Sequence, residues 1–475
     1  MDRLVDLVNH PLVAFSVSTA VFVVAGCHRK RTLVLIKNNS SAAKAIPVTV
    51  SDNSNRMNLK GLPTDILEPQ MEAQGEGALP PRTVISMFRE SVEKNGDKVA
   101  LALKRKGTNG VIPTMWKYWT YTEYWSDCIA FGKALLALNV EKYSVINILG
   151  FNSPEWLIAN NGSIMAGCIA AGIYITNSPA ACSYISTHSK ANILFCDGND
   201  QLRKYKEFVS STEKKAEHVP ELKAIVVWGG AELDTEFVSA SVVPVYSWAE
   251  FLSKGDTVSD SALDARMGRS SAGECAALIY TSGTTGPPKA VMLSHDNITW
   301  MCRNFATNHV CNGTAPGGRV VSYLPLSHVA AQMIDIHYVY FAAGCTYFAQ
   351  PDALRGSLAQ TLVDVRPTVF FGVPRVWEKM EEKLKEIGRQ STGLKKGIAD
   401  WAKALGSLNQ AGAQFGAVGT KPWGYHLARV VVLKKIREAL GLDKCSAFFT
   451  AAAPISVETL EYFSSLDIPG KELLL

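Results

Sequence analysis

Residues 278–297 read Leu-Ile-Tyr-Thr-Ser-Gly-Thr-Thr-Gly-Pro-Pro-Lys-Ala-Val-Met-Leu-Ser-His-Asp-Asn. The centre of this stretch, Thr281 to Lys289, gathers hydroxyl side chains, glycines and a lysine into one short loop. Ala276 to Tyr280 before it is a short apolar run ending in turn residues, the pattern of a buried strand. Gly283 and Gly286 let the backbone turn and come close to a ligand. Successive N–H groups in such a turn form an anion-binding concavity. Thr281, Ser282, Thr284 and Thr285 add hydroxyl donors, and Lys289 adds a positive point charge. The loop is suited to a polyanion, most simply the triphosphate tail of a nucleotide.

A cluster of Gly, Thr, Ser and Pro is by composition alone an ordinary surface turn. The fixed order of hydroxyls, glycines and lysine directly after a strand argues for more than that. The Gly-x-x-x-x-Gly-Lys-Ser/Thr spacing of a P-loop is absent. Residues 280–295 instead resemble the AMP-binding signature of the adenylate-forming superfamily, which includes acyl-CoA synthetases, luciferases and peptide-synthetase adenylation domains. The resemblance assigns nucleotide contacts to Thr281, Ser282, Gly283, Thr284, Thr285, Gly286, Pro287, Pro288 and Lys289.

The chain has 475 residues, 47% hydrophobic and 19% charged, the balance of a folded protein. Its net charge of +5 is small for this length and argues against a nucleic-acid surface. Ten scattered cysteines without a Cys-x-x-Cys pair read as reduced, core-filling thiols facing the cytosol, and offer no zinc site.

Pro11 to Gly26 is an uncharged, largely apolar run followed by His28-Arg29-Lys30-Arg31. A spanning helix needs about 20 residues, with about 17 as a lower limit. A membrane span and a buried or interfacial helix therefore both fit, and residues 1–37 are assigned as a membrane-associated segment. Residues 38–81 read as a flexible linker ending in Pro80-Pro81, and the folded body as 82–475. Cytoplasmic placement follows, with the endoplasmic reticulum or another intracellular membrane as the associated surface.

From Thr83 onward apolar runs alternate with helical patterns, which predicts parallel βαβ units: an α/β fold with helices on both faces of the sheet. Candidate strands are Val99–Lys104, Trp116–Thr120, Val145–Leu149, Ile169–Ile175, Ile193–Cys196 and Ala224–Trp228. Thr122 is available to cap a helix carrying Tyr124, Cys128 and Phe131. Ser294 caps another carrying Ile298, Met301, Cys302 and Phe305. That would place the loop between a strand and a helix N-terminus, whose dipole favours anions. His295 reads as a phosphate contact or as a solvated residue beside the cap.

Further segments extend the resemblance. Phe151-Asn152-Ser153-Pro154-Glu155-Trp156 and Thr176-Asn177-Ser178-Pro179 are similar to segments of acyl-CoA synthetases. Tyr323 to His328 resembles a second family motif beside the acyl cleft, which implies that His328 orients the acyl substrate and is not a nucleophile. Val373 to Met380 resembles a motif of the long-chain branch, although Arg375 and Trp377 could equally be structural. Ala451-Ala452-Ala453-Pro454 resembles the Gly-Ala-Ala-Pro loop against adenine, which implies adenine contacts from Ala452, Ala453 and Pro454. Ala451 stands where that loop has Gly.

The wording is similar to bubblegum-type long-chain fatty acyl-CoA synthetases. It implies ATP-dependent formation of an acyl-adenylate from a long-chain fatty acid, then thioester formation with coenzyme A, with Mg2+ as the accompanying ion. After Ile468-Pro469 such enzymes carry a Tyr-Gly-x-x-Glu element, a ribose-binding aspartate, a hinge and a small C-terminal domain with a catalytic lysine. The chain instead ends Gly470-Lys471-Glu472-Leu473-Leu474-Leu475. The expectation is a C-terminally truncated AMP-binding domain, either a ligase or an inactive nucleotide- or partner-binding form.

Overall fold

Val145-Ile-Asn-Ile-Leu149 is buried at every position, so it needs neighbours on both faces and both edges. The same continuous burial marks Ile169–Ile173 and Ala224–Trp228, and it explains why these runs form inner strands. A computed structural model describes residues 62–69, 78–107, 110–230, 232–281, 287–306, 318–414 and 421–472. The apolar run 11–26 lies outside the described residues. The chain divides into two units, one of residues 62–353 and one whose described part begins at Leu354.

In residues 62–353 the strands are β1 (Val99–Leu103), β2 (Lys117–Thr120), β3 (Val145–Leu149), β4 (Ile169–Ile173), β5 (Ala191–Asp197) and β6 (Ala224–Trp228). They continue with β7 (Val245–Ser247), β8 (Cys275–Thr281), β9 (Lys289–Ser294), β10 (Arg319–Ser322) and β11 (Cys345–Phe348). The larger sheet has the order β7-β6-β5-β3-β4-β8-β9 and is parallel from β7 to β8, with β9 antiparallel at the edge. The smaller has the order β10-β11-β1-β2, in which only β2 runs antiparallel. This is the α/β class that the alternating pattern predicts.

Helix Val84–Asn95 starts at Thr83, whose side chain accepts from Ser86 N–H. Helix Tyr121–Ala137 is capped by Thr120, not by Thr122 as the spacing suggested. Glu123 decides the register, because it lies three residues after Thr120 and closes a capping box with it. Helix Pro154–Met165 opens on the Ser153 cap with proline in its first turn, where a missing N–H costs nothing.

The unit beginning at Leu354 has its own parallel sheet, β12 (Val369–Gly372), β13 (Ala447–Thr450) and β14 (Gly470–Glu472), in that order. Helix Pro374–Arg389 covers it through Trp377, whose indole N–H is shared between the carbonyls of Gly372 and Phe449 at 3.1 and 3.3 Å. Trp377 is thus a structural residue of the β12–β13 pair. Arg375 is exposed and pairs with Glu378 and Glu382 on its own helix.

Candidate functional site

Because β3, β4, β5 and β8 are parallel, their C-terminal ends share one edge of the larger sheet. In open α/β sheets that edge is where ligands bind. The segments Gly150–Ser153, Tyr174–Ser178 and the Thr281–Lys289 loop all leave the sheet there. Ser282, Gly283, Thr284, Thr285 and Gly286 lie outside the described residues.

The loop is closed by a hairpin. Thr281 at the end of β8 pairs with Lys289 at the start of β9, and Tyr280 with Ala290. The expectation of a strand, loop and helix in direct succession is therefore corrected. Residues 289–294 form an edge strand, and the helix His295–Phe305 begins only after it. At a rise of about 3.4 Å per residue, six strand residues put the helix N-terminus about 20 Å from the loop. The helix dipole, which acts over about one turn, does not reach the loop. Ser294 does cap this helix, in a capping box with Asn297.

His295 answers to neither sequence-based reading. It is buried, its backbone N–H donates to Glu274 O, and its Nδ1 accepts from Val84 N–H at 3.1 Å. Burial lowers its pKa to about 4. It is a neutral core histidine joining two helices.

Aromatic side chains that the motif reading did not single out support the base of the loop. Tyr184 donates its hydroxyl to Pro288 O at 3.2 Å. The Tyr184 ring stacks on His188, and His188 Nδ1 lies 2.9 Å from Tyr280 Oη. These contacts fix both arms of the hairpin to helix Pro179–Ser189. Pro287 and Lys289 are exposed, and Lys289 has no ion-pair partner among the described residues. A cation held out at the ligand edge fits a polyphosphate. The crevice between β3 and β5 is filled instead: a Cβ on Gly150 would lie 2.4 Å from Trp228 and 2.5 Å from Asp197.

His328 closes a turn after β10. Its N–H donates to Pro325 O, and its Nδ1 accepts from Ala330 N–H at 3.2 Å, capping the short helix Val329–Ala331. Burial lowers its pKa, so the ring favours the neutral form. With Nδ1 accepting, the neutral ring carries its proton on Nε2 and acts there as a donor, the polarity needed to orient a carboxylate.

Two residues hold this turn in place. Asn152 is buried, donates to Ser322 Oγ at 2.8 Å and Leu324 O at 2.7 Å, and accepts from Leu326 N–H at 3.3 Å. Gly172 lies under it, where a Cβ would meet Ser327 Cα at 2.8 Å. Beyond the turn, a π-helical segment Gln332–Tyr338 carries the buried Asp335, which hydrogen-bonds Ser322 and whose pKa is pushed up to about 8 by burial.

In the other unit, Ala452, Ala453 and Pro454 follow β13. Ala451, the position that departs from the family wording, is buried without a positive φ. The left-handed conformation falls one residue later, at Ala452, with φ 80°. No group of three His, Cys, Asp or Glu side chains that could hold a metal occurs among the described residues.

The AMP-binding enzyme family matches residues 88–470. The chain is 41% identical to a long-chain-fatty-acid–CoA ligase ACSBG2 of Xenopus laevis over 94% of this chain and 60% of that protein. It is 46% identical to the Gallus gallus protein of the same name over 85% of this chain and 50% of that protein. The chain thus spans between half and three fifths of the length of these relatives. Its fold is similar to the A-PCP didomain of a carboxylic acid reductase from Segniliparus rugosus in complex with AMP. That likeness has a TM-score of 0.61 and 19% identity, and covers 83% of this chain and 53% of that one.

Proposed function

The chain belongs to the AMP-binding enzyme family, and from that premise we propose that it carries the adenylation part of a long-chain fatty acid–CoA ligase. The observation that supports this most is the pairing of β8 with β9, which brings both ends of the signature loop, Thr281 and the exposed Lys289, to the ligand edge of the sheet. A fatty-acid carboxylate oxygen would attack the α-phosphorus of ATP, forming the acyl–phosphate bond and releasing pyrophosphate. The coenzyme A thiolate would then attack the acyl carbon and release AMP.

In this reading Lys289 offsets charge on the β- and γ-phosphates, and the hydroxyls of the loop donate hydrogen bonds to them, as pyrophosphate leaves. His328 donates from Nε2 to the carboxylate and fixes its approach. Ala452, Ala453 and Pro454 keep the adenine contacts that the resemblance gives them. Mg2+ would arrive with the triphosphate, since the described residues offer it no cluster of ligands. The placement we propose is cytoplasmic and membrane-associated.

The test is to incubate the purified chain with ATP, coenzyme A and palmitate and to measure AMP, pyrophosphate and acyl-CoA. The reading expects all three products, and their loss in Lys289→Ala. ATP binding without turnover would instead favour a nucleotide-binding role alone. Neither binding nor turnover would remove both readings.

A further inference from the structure

We propose that the helical face carrying Trp401 and Trp423 is an interfacial surface that lies on an anionic lipid bilayer. It is independent of the ligase reading. Helix Gly393–Gln414 carries Leu394, Ile398, Trp401, Leu405 and Leu408 at alternating four- and three-residue steps. That spacing makes one stripe along the helix. The adjoining side is fastened to the unit: Ala402 is fully buried, and a Cβ on Gly406 would strike Ser465 O. Most of the stripe faces water, with Leu394 88% exposed and Ile398, Trp401 and Leu408 also exposed, while Leu405 packs against the buried cluster of Ala402, Tyr425, Ala428 and Leu433.

The surface continues onto the next helical segment. A Cβ on Gly424 would lie 3.5 Å from the Trp401 ring and 3.6 Å from Leu405, so the stripe reaches Trp423, which is 98% exposed. Leu427, Val430 and Val431 follow at helical spacing and are exposed, while Tyr425, Ala428 and Leu433 turn inward. An exposed apolar face with two tryptophans is out of place on a wholly solvated surface.

Charge decides the partner. Residues 393–440 hold eight Lys or Arg against two Asp or Glu, an excess larger than the +5 of the whole chain. Arg429 and Arg437 are held by Asp467, and Lys434 by Glu438. Lys395, Lys396, Lys421 and Lys435 remain exposed around the apolar stripe, without an ion pair among the described residues. Tryptophans and aliphatics bordered by lysines match the apolar boundary and anionic headgroups of a bilayer. No helix among the described residues is long and apolar enough to cross a membrane, so this face would lie on the surface.

The experiment is co-sedimentation of the full chain with vesicles of phosphatidylcholine, with and without phosphatidylserine. The proposal expects binding to the phosphatidylserine vesicles that weakens as salt is added. The double variants Trp423→Ser/Leu427→Glu and Lys395→Glu/Lys396→Glu should each lower that affinity by roughly tenfold or more. Circular dichroism checks their folding, and the lysine pair decides alone if the first variant unfolds. Binding unchanged in both variants would place the contact elsewhere in the chain and overturn the proposal. So would absence of vesicle binding, or self-association in solution that Trp423→Ser/Leu427→Glu abolishes.

Discussion

The Asn152 side-chain amide donates to Ser322 Oγ at 2.8 Å and so joins the loop after β3 to the end of β10. The same amide holds Leu324 O and Leu326 N–H, the backbone of the turn that ends in His328. Asn152→Ala would leave these buried groups without their partner, at a cost of about 1–3 kcal/mol. The expected signature is a larger fall in kcat or rise in KM for the fatty acid than for ATP, with unchanged circular dichroism. Equal effects on both substrates would show that the turn is not specific to the acyl side.

Gly172 makes the complementary case from below the turn. A valine there would push against Ser327 Cα and the Trp156 ring, both already at contact. Overpacking of this kind costs about 1–3 kcal/mol, and the turn, whose backbone carries no sheet ladder, should give way before β4 does. Thermal unfolding and fatty-acid KM measured together test this: Gly172→Val should raise KM by more than its lost stability explains.

Lys289→Ala should act on ligand and not on fold. The side chain is exposed at the tip of an edge strand and has no ion-pair partner among the described residues, so the midpoint of unfolding should hold. Loss of a charge-assisted contact of about 1.5–3 kcal/mol corresponds to roughly 10- to 100-fold weaker ATP binding by calorimetry. An unchanged affinity would remove Lys289 from the nucleotide site.

These positions show which parts of the molecule could be read in the sequence. β3, β4, β6 and β8 were legible because strands buried on both faces are continuous apolar runs of strand length. β9 was not, because Lys289 to Ser294 is half-exposed at an edge and runs directly into a capping box, whose helix signal dominates. The burial of His295 depends on Val84, 211 residues away, and the work of Asn152 on residues 170–174 positions away. No local pattern carries such pairings. The Asn-Ser-Pro wording marked the turn at 152–154 but not what its asparagine holds.

The loop after β13 offers a test of opposite sign. Ala452 at φ 80° is in a conformation that costs an L-residue about 1–2 kcal/mol, while glycine adopts it freely. Glycine also adds unfolded-state entropy, so Ala452→Gly should stabilise the chain by a net of about 0.5–1 kcal/mol. Chemical denaturation should therefore show the gain, and nucleotide affinity should stay the same or fall.

Asp335 sets the pH dependence above neutrality. Burial raises its folded pKa to about 8, against about 4 in the unfolded chain, with the hydrogen bond to Ser322 opposing the rise. Between these values the folded state binds a proton that the unfolded state has released. Stability is therefore fully present below about pH 4 and is lost as pH rises toward 8. His295 and His337, lowered by burial to about 4 and about 3, act in the opposite direction, an effect that fades as pH rises past their unfolded value near 6.5. Both are neutral in the folded state from pH 6.5 to 8, but about half of each unfolded imidazole is still protonated at pH 6.5. The two histidines therefore offset Asp335 up to about pH 7.5 and leave it dominant above that. Stability should fall by a net of about 1 kcal/mol between pH 6.5 and 8, nearly all of it above pH 7. Asp335→Asn keeps a hydrogen-bonding partner for Ser322 without a titrating group, so its unfolding midpoint should not fall over the same range. A parallel decline in the variant would assign the slope to another group.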